Sequence, residues 1–226
     1  MAFQSSKAGK VYSVLILRSG KVVSTDEIKD ACKLLGVDFK TALAGLSRAG
    51  VLEPVLFKGV YYVRSPEERQ LNTIQEDALD VVAKACNLKL KDNWYFGLAA
   101  ALELAGLSEQ QHLSTLTVIA KKRVKRYRTA FGGLVFEFKR LSGVPFNKLV
   151  RKEGAKRFSE PARTLADYAY FNARSKAGGY SRVILPEVYS KTRDRDKLLR
   201  QLISLAGKYP KWYAVLMKEA FERLRK

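Results

Sequence analysis

The sequence predicts an α+β protein in two parts: a smaller helix-rich amino-terminal part, and a larger part with a small mixed or antiparallel sheet flanked by helices. Three observations predict it. Apolar residues recur at three- and four-residue spacing up to Gly50, then switch to β-branched and aromatic runs. Extended patterning dominates from Leu113 to Leu141. Helical spacing returns after Pro161. A polar stretch, Arg64-Ser-Pro-Glu-Glu-Arg-Gln70, holds no apolar residue to bury, and Pro66 disfavours helix at Ser65. It reads as a short linker or the entry to the next helix, dividing the chain into 1–65 and 71–226.

In the first part, Val11, Val14, Leu15 and Leu17 predict a helix over about Lys7–Arg18, closed near Gly20. Ser24-Thr-Asp-Glu27 is a capping box, in which the Ser24 hydroxyl accepts from the Glu27 amide while the Glu27 carboxylate reaches back. Ile28, Ala31, Cys32 and Leu35 give the next helix an apolar face ending at Gly36. Asp38 is the N-cap of a third helix, with Phe39, Leu43 and Leu46 on its buried side and Gly50 as its stop. Val51–Leu56 and Val60–Val63, separated by Phe57-Lys58-Gly59, predict a hairpin. Three helices and a hairpin in this order make a winged helix-turn-helix, whose third helix enters the major groove of DNA and whose hairpin tip touches the flank.

The second part is predicted to open with a helix over Leu71–Leu88 and another, apolar nearly all round, over Trp94–Leu104. Strands follow at Leu113–Ala120, Val124–Thr129 and Leu134–Leu141, the last two joined through Phe131-Gly132-Gly133, with a short strand at Lys156–Ser159. Pro161 starts a helix running to about Asn172. Three more are expected at about Leu185–Lys191, Asp194–Ala206 and Pro210–Arg225.

Charge narrows the function classes. The chain has 226 residues, with 42 Lys+Arg against 22 Asp+Glu and a net charge of +20. Residues 1–70 hold 11 basic and 7 acidic side chains; residues 71–226 hold 31 and 15. An excess of this size repels itself, and a polyanionic partner relieves the repulsion. Hydrophobic residues at 47% argue against wholesale disorder. No apolar run is long enough to cross a bilayer and the first residues lack a signal-peptide layout, so no membrane partner is expected and the cytoplasm is the expected location. Two cysteines, Cys32 and Cys86, read as core thiols.

The candidate duplex-DNA residues are Lys40, Thr41, Ala44, Ser47 and Arg48 on the outward face of the third helix, where small residues such as Ala44 and Gly45 permit close approach. Lys58 tips the hairpin, Ser24 and Thr25 offer a helix N-terminus to a phosphate, and Lys7 and Lys10 add backbone contacts. A second candidate surface is Lys121, Lys122, Arg123, Lys125, Arg126 and Arg128, followed by Lys139, Arg140, Lys148, Arg151, Lys152, Lys156 and Arg157. Tyr127 and Phe131 are placed to stack on bases, with core packing favoured for Phe131. If 124–129 is a strand, its charges divide between two faces; a sheet edge kept charged against aggregation is the competing reading.

No catalytic residues, metal site or cofactor are expected. The chain has no phosphate-cradling glycine motif and no Gly-Ser-x-Asp-x-Asp transferase pattern. Asp194 and Asp196 stand among Arg193, Arg195 and Lys197 and read as helix-start ion pairs; the lone His112 reads as a loop residue. An RNA-binding or RNA-processing module centred on 121–157 is the alternative to a DNA-binding regulator.

Three segments resemble the AbiEi antitoxins of type IV toxin–antitoxin systems: the winged helix ending in Gly59-Val-Tyr-Tyr-Val63; Trp94-Tyr-Phe-Gly-Leu-Ala-Ala-Ala-Leu-Glu-Leu-Ala-Gly-Leu107; and Phe158-Ser-Glu-Pro-Ala-Arg-Thr-Leu-Ala-Asp167. Phe96-Gly97 and Ala105 depart from the family pattern. The resemblance implies a winged domain that represses its own promoter, and a larger, non-enzymatic domain that counters a nucleotidyltransferase toxin.

Overall fold

The computed structural model describes residues 3–17, 21–107, 114–175 and 188–209. His112 and the expected helix at Pro210–Arg225 lie outside the described residues. The fold is mixed α+β, with a three-stranded and a six-stranded sheet. The chain divides into two units, Met1–Lys91 with Thr129–Gly133, and Asp92–Arg128 with Leu134–Lys226. The division therefore falls at residue 91, not between 65 and 71.

The first unit begins with α1 (Lys7–Leu17), β1 (Val22–Ser24), α2 (Thr25–Leu34) and α3 (Phe39–Arg48). Both expected caps form. Ser24 and Glu27 close the capping box on α2, and the Asp38 carboxylate accepts from the Thr41 amide at 2.8 Å. Val11, Leu15, Ile28, Ala31, Ala42 and Leu46 make the shared core of the three helices. Ala42 and Leu46 are the buried positions of α3, while Phe39 and Leu43 are only half-buried. A Cβ at Gly45 would lie 2.7 Å from that of Ala8, so this glycine serves the crossing with α1 instead of an approach to bases.

β2 (Leu52–Pro54) and β3 (Val60–Val63) form the expected antiparallel hairpin. Gly59 turns it at φ +77°, and its carbonyl accepts from both the amide and the hydroxyl of Thr25, at 2.8 and 3.1 Å. β1 pairs along the other side of β3, Val22 opposite Tyr62, so the sheet order is β1-β3-β2. β1 is not among the expected strands, because a three-residue run is too short for alternation to register.

The stretch expected as a linker or helix entry is α4 (Pro66–Leu71), a helix with its own capping box between Ser65 and Glu68 and with Pro66 in its first turn. It buries a carboxylate instead of an apolar side chain. Glu68 is fully buried and accepts from the Tyr62 hydroxyl at 2.6 Å, the Ser65 amide at 2.7 Å, the Gln75 amide at 2.8 Å and Lys21 Nζ at 3.3 Å. Asn72 then ends α4 in the left-handed region and Asp77 caps α5 (Ala78–Leu90), so the single helix expected over Leu71–Leu88 is broken. α5 lies against β1 and β3 through a face that includes Val81, Val82 and Ala85.

The larger sheet consists of β4 (Trp94–Gly97), β5 (Thr115–Ala120), β6 (Arg128–Phe131), β7 (Leu134–Arg140), β8 (Val150–Glu153) and β9 (Lys156–Ser159), in the order β6-β7-β5-β4-β9-β8; all but residues 129–131 of β6 belong to the second unit. β4 corrects the expected helix at Trp94–Leu104. All four of its residues are buried between antiparallel β5 and parallel β9, and only α6 (Ala99–Leu104) is helical. A central strand buried on both faces shows no alternation, so its apolar run looks like a buried helix. β8 was also unexpected; β6 begins at Arg128, and residues 121–127 are irregular. Gly132 and Gly133 both have positive φ, the conformation of a two-residue hairpin turn between β6 and β7. α7 (Pro161–Ser175) and α8 (Arg195–Ala206) follow, with residues 188–191 helical between them. Tyr95, Leu98, Ile119, Leu165, Leu198 and Leu202 belong to the core that α7 and α8 share with the sheet.

Candidate functional site

The first unit presents one helix face to solvent. Lys40, Thr41, Ala44, Ser47 and Arg48 are all exposed, opposite the buried Ala42 and Leu46. Lys7, Lys10 and Lys58 are exposed as well. Thr41 is not a free reader, however, because its hydroxyl donates to Asp38 at 2.9 Å. These two bonds from Thr41 are the main reason the exposed Asp38 carboxyl titrates below its ordinary range, and they leave a negative charge at the first turn of α3.

Ser24 and Thr25 do not make the expected phosphate site. The Ser24 hydroxyl caps α2, its amide donates to the Glu27 carboxylate at 2.7 Å, and Thr25 gives both donors to Gly59. An anion arriving at this helix end would meet a carboxylate already in place.

The second unit gathers its charge by strand register. β5 and β7 run parallel with Ala120 level with Arg140; β4 starts level with Ala120, at Trp94; and β9 starts beside the end of β8, with Lys156 level with Glu153. The Phe138 amide donates to the Tyr127 carbonyl, which brings the start of β6 to the same end. One end of the sheet therefore collects residues 121–128, Lys139, Arg140, Lys152, Lys156 and Arg157 out of a span, 121–157, with 13 Lys+Arg and only Glu137 and Glu153 as acids. The irregular path of 121–127 removes the strand alternation that would have divided these charges.

Within this end the cations differ. The Arg157 guanidinium pairs with Asp92, and Arg151 pairs with Glu153 at 2.7 Å while lying 4.8 Å over the Phe158 ring. Lys148, ahead of β8 at the opposite end, turns to α8, donating to the Ser204 hydroxyl at 2.7 Å; burial and then the neighbouring Lys208 hold its pKa below the ordinary lysine value. Among the described residues no carboxylate pairs with Lys121, Lys122, Arg123, Lys125, Arg126, Arg128, Arg140 or Lys152. Lys122, Arg123, Val124, Tyr127, Phe138, Lys139 and Arg140 line an open pocket of about 290 Å³ together with Ala120. Tyr127 is 69% exposed there, whereas Phe131 is buried, as expected.

One polar cluster escaped the sequence analysis. Arg163 and Asp167 on α7 are both fully buried, with Nε 3.0 Å from the carboxylate. Arg163 also donates to the Tyr95 hydroxyl at 2.9 Å and to the carbonyls of Pro145 and Lys148 at 2.6 and 3.3 Å. Asp167 accepts from the hydroxyls of Tyr95 at 2.7 Å and Tyr209 at 3.1 Å. Burial alone would lower the Arg163 pKa; Asp167 beside it raises the value instead, so the guanidinium stays charged. The i, i+4 spacing was legible, but nothing in the sequence marked the pair as internal. Its donors and acceptors are matched to one another, so the cluster joins α7 to β4 and to the segment at 145–148.

No protein-family model and no curated protein matches the chain. Among solved structures, the crystal structure of the RV2827C protein from Mycobacterium tuberculosis is similar to it, with a TM-score of 0.61 and 15% identity. The match covers 95% of this chain and 76% of that one. At this identity the likeness is one of fold. Among the described residues no three His, Cys, Asp or Glu side chains converge as metal ligands, and Asp194 caps α8 through the Lys197 amide. No described helix is long and apolar enough to cross a membrane.

Proposed function

We propose that the first unit is a winged helix that binds duplex DNA through α3 and the β2–β3 turn, and that the protein is a non-enzymatic cytoplasmic regulator of its own promoter. The observation that carries this reading is the division of α3 into a buried face and a fully exposed one, with Lys58 exposed on the hairpin that follows. Lys40 and Arg48 supply the charge, Ala44 and Ser47 the close approach, and Thr41 holds the helix start through Asp38. Lys7 and Lys10 add phosphate contacts.

The Lys40→Ala/Arg48→Ala variant is expected to bind the upstream promoter fragment more weakly, by about 1–3 kcal/mol for each residue that reads a base, and with a shallower salt dependence. Fluorescence anisotropy over a salt series measures both quantities. Unchanged affinity and slope would remove α3 from the interface.

The second half of the proposal follows the AbiEi resemblance. The larger unit counters a nucleotidyltransferase toxin, and an adjacent gene encoding a Gly-Ser-x-Asp-x-Asp protein would support this. Co-expression of the full chain restores growth to cells arrested by that toxin, and the Lys40→Ala/Arg48→Ala variant does so equally well. Continued arrest in both cases would rule out the antitoxin role.

A further inference from the structure

The basic end of the six-stranded sheet offers more than positive charge. The loop at 121–127 and the end of β7 line an open pocket in which the exposed Tyr127 joins Lys122, Arg123 and Arg140, which have no acidic partner among the described residues. Val124 and Phe138 supply apolar surface to the same lining, and Lys122, Arg123 and Arg140 supply its charge. Its volume of about 290 Å³ is at the small end of ligand sites, which run from about 300 to 1,000 Å³. That size suits one nucleotide unit of a longer strand.

A paired duplex keeps its bases stacked on each other and shows a protein only their edges and its phosphates. The face of an aromatic ring is useful only to a base that has left the stack. We propose that this pocket binds single-stranded nucleic acid, with one unpaired base stacked on Tyr127 and the flanking phosphates held by Lys122, Arg123 and Arg140. The site lies wholly in the second unit and is independent of the duplex contact assigned to α3. The two nucleic-acid surfaces therefore have different preferences, one for paired strands and one for unpaired.

The test is fluorescence anisotropy of the full chain with labelled oligothymidine, labelled oligouridine and a labelled duplex of equal length. The variants are Tyr127→Ala, Tyr127→Phe and Lys122→Ala/Arg123→Ala. Tyr127→Ala is expected to weaken single-strand binding roughly five- to hundredfold, the effect of losing one base-stacking contact. Tyr127→Phe keeps the ring and retains the affinity. Duplex affinity is unchanged in both Tyr127 variants. Lys122→Ala/Arg123→Ala weakens single-strand binding and flattens its salt dependence. Tighter binding of oligouridine assigns the site to RNA, and tighter binding of oligothymidine to single-stranded DNA. Wild-type chain that binds neither strand at low salt would overturn the proposal. So would a Tyr127→Ala variant that binds single strands as the wild type does, or one that loses duplex and single-strand affinity in equal measure.

Discussion

Asp167→Ala is expected to destabilise the second unit by about 3–5 kcal/mol, the cost of removing one partner from a buried ion pair. Arg163 would keep its charge, because its pKa lies far above neutrality, and would sit fully buried beside two tyrosine hydroxyls that had lost their acceptor. Both tryptophans, Trp94 and Trp212, follow residue 91 in the sequence, and Trp94 is fully buried in the second unit. Denaturant unfolding followed by tryptophan fluorescence therefore reads that unit by itself. The Arg163→Met/Asp167→Leu variant is the control, because replacing both charges with apolar side chains of similar size is often near neutral. A single variant that unfolds at the wild-type midpoint would show that water reaches the pair.

Glu68→Ala is expected to destabilise the first unit by about 3 kcal/mol or more, because Tyr62, Lys21 and two backbone amides all lose one shared acceptor. The same carboxylate makes the unit acid-sensitive. Burial alone would raise the Glu68 pKa, but hydrogen bonds from Tyr62, Ser65, Gln75 and Lys21 outweigh it and pull the value down to about 2. A folded pKa below the unfolded one stabilises the fold fully above the unfolded value, and that stability disappears as pH falls through the folded value. The window runs from about 4.5 down to about 2. Glu68→Gln cannot titrate, so its denaturation midpoint, read by far-UV circular dichroism across that window, should fall less steeply than that of the wild type. Parallel curves would mean that other carboxylates govern the acid response.

The readable elements are those whose signals are local. The capping box at Ser24, the Asp38 cap, the glycine turns and the 3.6-residue period of α2 and α3 each need only a few neighbouring residues, and all of them form. Ser65-Pro-Glu-Glu68 carries the same capping signature, and of the two readings of this stretch, linker or helix entry, the structure has the helix. The outward face of α3 was legible too, since amphipathic spacing separates the two sides of a helix. The jobs of Thr25 and Gly45 were not, because each faces a partner distant in sequence: Gly59 for Thr25, Ala8 for Gly45.

The six-stranded sheet shows the same limit. Its basic residues were visible as a cluster along the chain, but their position depends on register between strands up to sixty residues apart, such as Phe96 beside Phe158. Exposure was equally undetermined. Tyr127 and Phe131 are four residues apart and both aromatic, yet one is exposed and the other buried.

By itself the sequence determined the charge of +20, the helical caps, the hairpin turns and the amphipathic faces of the opening helices, because backbone geometry and side-chain period act over a few residues. Tertiary structure alone decided that Trp94–Gly97 is a central strand, that Glu68, Arg163 and Asp167 are internal, and that most of the cations of 121–157 converge on one end of a sheet. Burial and strand pairing are relations between distant segments, and they exist only once the chain has closed on itself.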